Sequence, residues 1–151
     1  MAGFPRTPGD VVRIHLAHDL YAYGRMLAQG VTAYYGRFDA DGKCPPDEVV
    51  RATVLFKVMT MSVAVTSGRW PVVGNLPLSG DLLQPAVFFR QDPLVAGSFF
   101  VSVGGVERTA TQAECEGLER LAVWSALQIE DRLRDARAGR PNRWVEIVKI
   151  R

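Results

Sequence analysis

The sequence predicts an α+β fold: a strand-rich antiparallel sheet, rolled or closed into a small barrel, packed against one long C-terminal helix. Three observations predict it. From Asp10 to Ala110, short apolar runs are cut at intervals by Gly, Pro and Asp, which is the pattern of successive strands. Gly104-Gly105 separates two of these runs as the turn of a hairpin does. After Thr111 the apolar spacing changes to three and four residues, the period of a helix with one buried face.

The elements follow in order. Residues 1–9 carry Pro5 and Pro8 and read as a flexible lead. Val11 to Leu16, Tyr21 to Leu27 and Val31 to Phe38 read as a three-strand antiparallel meander, turned at Ala17-His18-Asp19 and at Gly30. Asp39 to Asp47, with Gly42, Pro45 and Pro46, is a loop. Arg51 to Val65 is rich in β-branched residues and is read as a strand, although Met59, Met61 and Ala64 would tolerate a helix. Ser67-Gly68 ends it, Trp70 to Val73 is a short strand, and Gly74 to Pro85 is a loop. Ala86 to Arg90 returns to extended structure, and Phe99 to Val103 and Val106 to Ala110 form the hairpin. Thr111-Gln112-Ala113-Glu114 then has the form of a capping box. The helix is expected over 111–138, stopped by Gly139 and Pro141, with Cys115, Leu118, Ala122, Ser125, Ile129, Leu133 and Ala136 on its core face. Glu116 with Arg120, and Glu130 with Arg134, stand at i,i+4 as exposed pairs. Trp144 to Ile150 alternates apolar and polar residues, so 144–150 is expected as a closing strand. The whole, 1–151 with a strand-rich body over 10–110, suits one domain.

Composition narrows the function. Eighteen basic and sixteen acidic residues are interleaved and leave a net charge of +2, which argues against a basic face for nucleic acid. There is no apolar leader or stretch long enough to cross a bilayer, so a cytoplasmic protein without a membrane partner is expected. Cys44 and Cys115 are expected as free thiols.

Chemistry-bearing motifs are sparse. His15 and His18, three apart on or beside a strand, point to opposite faces and do not share a metal. Asp39-Ala40-Asp41-Gly42 begins like a calcium loop but lacks the later ligands and runs into prolines. No nucleophile elbow, phosphate loop or dinucleotide fingerprint is present. No catalytic residue, metal ligand or cofactor is assigned, and the reading is a binding protein and not an enzyme. Two places are singled out for a partner. Asp39, Asp41, Asp47 and Glu48 make an acidic loop, either a solvated turn or a docking element for a basic partner. Val123, Trp124 and Leu127 fall away from the helix's core stripe and are either covered by the segment around Trp144 or form an interface, a homodimer included.

Gly9-Asp10, Tyr21-Ala22-Tyr23-Gly24-Arg25, Phe56, Trp70, Gly74 and Pro77 resemble the immunity protein 26 family of bacterial polymorphic toxin systems. So do Gly117-Leu118-Glu119, Ala122-Val123-Trp124 and Ile129-Glu130-Asp131-Arg132. The resemblance implies a protein that binds a cognate toxin and neutralises it without turnover. It marks Arg25, Trp70, Glu119, Trp124, Glu130 and Arg132 as signature residues. Glu119 and Glu130, eleven apart on the expected helix, would share a face and either anchor Arg25 or another sheet arginine or face the toxin. Where related helices often carry a histidine before the Glu-Asp-Arg triplet, this chain has Gln128 and Ile129. The rival readings from the residues alone are a rolled-sheet nucleic-acid module and a hydrolase using dispersed carboxylates.

Overall fold

A computed structural model describes residues 7–150. The expected flexible lead falls on 1–9, of which 1–6 lie outside the described residues; Thr7 to Gly9 form a turn that leads into the first strand. The fold is α+β, with ten strands in two mixed sheets, and the sheets do not close into a barrel.

β1 (Asp10–Ala17), β2 (Leu20–Met26) and β3 (Val31–Tyr35) form the meander. After α1 (Pro46–Val49), β4 (Val54–Thr60) pairs antiparallel with β3. After α2 (Val63–Thr66), β5 (Val72–Asn75) pairs with β1. β6 (Val87–Gln91), β7 (Phe99–Val103) and β8 (Val106–Ala110) make the second sheet, with the Gly-Gly hairpin between the last two. Then come α3 (Gln112–Cys115), β9 (Glu119–Arg120), β10 (Val123–Trp124), α4 (Ala126–Ala138) and α5 (Arg143–Ile147). The larger sheet has the order β10-β4-β3-β2-β1-β5 and the smaller β8-β7-β6-β9. Both are mixed because β9 and β10 run parallel to their neighbours β6 and β4.

Alternation of side chains assigns the faces. Val12, Ile14, Tyr34, Phe56 and Val58 point to one side of the larger sheet, where Trp70, Trp124 and the α4 residues Ile129 and Leu133 bury them. Val11, Tyr23 and Tyr35 point to the other side, under Cys44 and Val49 of the 36–50 segment. Further along that side, Leu27, Val31 and Ala33 meet Phe88 of the smaller sheet. The far face of the smaller sheet buries Phe89, Phe99 and Val101 against Cys115.

Several expectations are corrected. The helix over 111–138 is not continuous. The Thr111 capping box forms, but α3 stops after one turn, because Glu116 is extended (φ −64°, ψ 135°) and Gly117, at φ +82°, completes a turn closed by the Leu118 amide on the Cys115 carbonyl. The segment then makes β9 and β10, and Ser125 opens α4 with a second capping box to Gln128. Glu116 and Arg120 therefore share no helix. Arg134 bonds Asp131 and the Leu16 carbonyl instead of Glu130. The strand read over 51–65 is shorter: β4 covers Val54–Thr60, and the chain then turns into α2. The closing strand over 144–150 is a helix, α5, which Asn142 starts by accepting the Trp144 and Val145 amides. Likewise the strand read at Trp70 to Val73 forms two residues later, as β5. Cys44 and Cys115 are both free and buried. Among the described residues, no helix is long and apolar enough to cross a membrane.

Candidate functional site

The signature residues turn inward and join distant parts of the chain. Glu130 on α4 is buried and accepts from Arg69 Nε and Nη2 at 2.8 and 2.7 Å and from Trp70 Nε1 at 2.9 Å. Burial pushes the Glu130 carboxyl up, but the Arg69 and Trp70 hydrogen bonds outweigh it and hold the group below the usual carboxylate range. The arginine on Glu130 is Arg69, in the bend between α2 and β5, and is neither Arg25 nor another sheet arginine. Glu119 lies on β9 and not on a helix, and it receives Arg132 of α4 in a two-pronged bond at 2.8 and 2.9 Å. The same Arg132 guanidinium sits 3.7 Å from the Phe56 ring centroid and 4.9 Å from that of Trp124. One cation therefore ties α4 to both sheets.

Arg25 is only 5 % exposed. Its Nη2 donates to the carbonyls of Leu76 and Pro77, both at 2.7 Å, and pins the loop that follows β5. Its Nε finds no acceptor among the described residues. No carboxylate is among its hydrogen-bond partners.

The acidic loop is held from within. Asp39 Oδ2 accepts from the Tyr23 hydroxyl at 2.7 Å, and Asp39 Oδ1 accepts from the Gly42 amide at 2.7 Å. The Cys44 amide donates to the Tyr23 oxygen at 3.1 Å, and Asp39 bridges back to Tyr21. Burial, and then the Asp39 hydrogen bond, push the Tyr23 phenol far up, so it stays a donor. Gly42 has φ +69°, and a Cβ there would lie 2.8 Å from Arg13 Cδ and 3.0 Å from the Tyr21 ring. Asp39 is thus used by the loop itself, while Asp41, Asp47 and Glu48 remain exposed.

At the other candidate surface, Trp124 is 3 % exposed and lies in the main core, where Trp144, Val145 and Val148 pack against the same cluster. A buried indole offers a partner nothing, so the surface falls to its neighbours. Val123 is 50 % and Leu127 64 % exposed. Met61, whose amide donates to the Trp124 carbonyl, and Ile147 are exposed beside them. A hollow of about 240 Å³ opens between Val123, Gln128, Trp144 and Ile147. These apolar residues cluster at the open edge of the larger sheet, where β10 is the last strand.

The sequence did not point to Arg69, Met61 or Ile147. Arg69 follows the Ser67-Gly68 break, but nothing local ties it to a carboxylate 61 residues on. Met61 and Ile147 stand in segments whose composition suits strands, where alternation hides a surface role. Burial pushes both cysteine thiols up, against the demands of a nucleophile. No cluster of three or more His, Cys, Asp or Glu able to hold a metal occurs among the described residues.

The arrangement is that of an α+β protein that spends its buried charge on joining two sheets to one helix and leaves acidic and apolar patches at the surface. A family model described as immunity protein 26 matches residues 7–99. That span is more than half of the 151 residues, and the chain belongs to the immunity protein 26 family. The match holds Arg25, Trp70 and the acidic loop, whereas Glu119, Trp124, Glu130 and Arg132 lie beyond it. No curated protein and no solved structure matches the chain.

Proposed function

We propose that this chain is an immunity protein that binds a cognate bacterial toxin in the cytoplasm and neutralises it by covering its surface, with no chemical turnover. The observation that carries this reading is the family match over 7–99. Two further observations support it. Hydrogen bonds from Tyr23, Gly42 and Cys44 already hold the acidic loop, so docking a basic surface on Asp41, Asp47 and Glu48 asks for little new ordering of its backbone. The patch of Met61, Val123, Leu127 and Ile147 supplies apolar area of the kind that fills an interface centre.

The test is co-expression of the neighbouring toxin gene with and without this chain, followed by pull-down and titration calorimetry of the purified pair. Rescue with a stable complex supports direct binding. Rescue without a complex, or with toxin destroyed, overturns it.

A further inference from the structure

The smaller sheet ends on an open strand. Of the four strands that end the two sheets, β9 and β10 span two residues each, and β5 is bracketed by Pro71 and Pro77. β8 is five residues long, Val106–Ala110, and every residue from Val106 to Thr109 is exposed. It pairs with β7 on one side only.

The hairpin register decides what the other side of β8 offers. Gly104 and Gly105, at φ 58° and 86°, make a two-residue turn, so Val103 and Val106 exchange the first hydrogen bonds. Backbone groups alternate along a strand, so Arg108 and Ala110 also turn theirs to β7. The Leu121 amide on the Phe89 carbonyl fixes the same alternation from the far end of the sheet: Phe89 faces β9, which leaves Phe88 and Arg90 facing β7. Glu107 and Thr109 therefore aim their N–H and C=O groups away from the sheet. Neither N–H meets an acceptor among the described residues, and the Thr109 carbonyl receives the Arg108 side chain at 3.3 Å.

Two side-chain features accompany this edge. Val87, Val103 and Val106 stand opposite one another on β6, β7 and β8 and are all exposed, Val106 to 75 %, so an apolar row crosses the sheet and stops at the edge. Charged side chains commonly blunt such an edge, but here they are tied back. Arg90 holds Glu107 on one face at 2.6 and 3.2 Å, and Glu114 of α3 holds Arg108 on the other at 2.8 Å.

From these features we infer that β8 receives an extended segment of the protein partner as a further strand of the smaller sheet. Outward N–H and C=O groups at strand spacing are satisfied by another main chain. An apolar β-branched side chain of that segment, opposite Val106, would continue the valine row. A second copy of this chain suits the edge poorly. Pairing about a two-fold axis, in the registers centred on β8, sets Glu107 or Arg108 opposite itself, and side chains held by Arg90 and Glu114 cannot swing apart. The inference rests on the reading of the chain as a protein-binding immunity protein.

The experiment uses the full chain and the toxin encoded by the neighbouring gene. Thr109→Pro removes the outward N–H without touching the β7 ladder, and Thr109→Ala keeps it. An affinity loss of about tenfold or more for Thr109→Pro, with Thr109→Ala close to wild type, supports the inference. Equal affinity in all three, or an equal loss in both variants, overturns it while leaving the immunity reading intact. Hydrogen exchange on the wild-type complex decides the matter should Thr109→Pro fail to fold: the Glu107 and Thr109 amides should exchange about tenfold or more slowly than in the free chain, and unchanged exchange overturns the inference. Slowing that appears without toxin as the chain is concentrated also overturns it, and assigns the edge to a second copy. If the toxin does not bind the wild type, the immunity reading fails and a capped peptide of alternating Thr and Val becomes the probe, followed by NMR. Saturable shifts at the Glu107 and Thr109 amides support strand addition at β8, and their absence overturns it.

Discussion

Glu130 and Arg132, two residues apart on α4, hold the fold by different means. Glu130 is a buried acceptor for two donors, so Glu130→Ala strands the Trp70 indole N–H and is expected to cost about 2–3 kcal/mol, by urea denaturation. Its carboxyl, and that of Asp131, held down chiefly by the Arg134 hydrogen bond, both have folded-state pKa values below the usual carboxylate range. Their contribution to stability is therefore complete above the ordinary carboxylate pKa, about 4. It is lost as pH falls below that value through the folded-state pKa. Glu130→Gln should flatten the acid limb of a thermal midpoint profile between about pH 5 and 2; an unchanged limb would rule out this coupling. Arg132 works by its flat shape, stacked on Phe56 while bonding Glu119 with both prongs. Lysine keeps the charge but cannot stack and fork together, so Arg132→Lys is expected to cost about 1–2 kcal/mol in the same assay.

Among the elements, the acidic loop and the β10 edge separate folding from binding. Gly42→Ala forces a side chain into a left-handed conformation against Arg13 and Tyr21, and about 1–2 kcal/mol of stability should be lost in thermal unfolding. The double variant Asp41→Lys/Asp47→Lys, by contrast, should leave the circular dichroism spectrum and unfolding midpoint unchanged. It should slow toxin association about tenfold at low salt, with the difference vanishing at high salt; equal rates at both would remove the loop from the interface. Trp124→Ala opens a cavity in the main core and should cost about 3–5 kcal/mol. Leu127→Glu, on the exposed first turn of α4, should keep the midpoint and raise the toxin off-rate. If it instead abolishes a dimer seen by light scattering and spares toxin binding, the edge is a contact between two copies of this chain.

The same elements show what was readable in advance. The meander, the Gly-Gly hairpin and the Gly139 helix stop were legible, because each is set by a local period or by one residue's backbone preference. The long helix was not. Thr111 and Glu114 do form their capping box, but it starts a single turn, and extended Glu116 with Gly117, read as a signature position, turns the chain out of the helix. The spacing of Leu118 and Ala122 fits a helix equally well, and only pairing with β6 and β4 makes their surroundings extended. The segment after Asn142 fails for the mirror reason: its alternation suits a strand, but the cap and packing against α4 draw it into a helix. Of the candidate surfaces, the acidic charge was visible in one dimension, whereas the burial of Trp124 under Trp144 was not.

At the scale of the whole molecule, the six residues from Glu119 to Trp124 complete both sheets, β9 closing the smaller and β10 the larger. Each pairs with a strand formed much earlier in the chain, β6 or β4, so these contacts bear a large loop-closure cost and should form late. During synthesis the meander and the hairpin can assemble as they leave the ribosome. Until Trp124 has followed them, the edges of β4 and β6 stay unpaired and Phe56 lacks its lid, exposed to misassembly with other chains. For a protein read as an antidote this sets a clock. A newly made chain carries the acidic loop early, but the apolar edge proposed to meet a partner is finished only when its last quarter has folded.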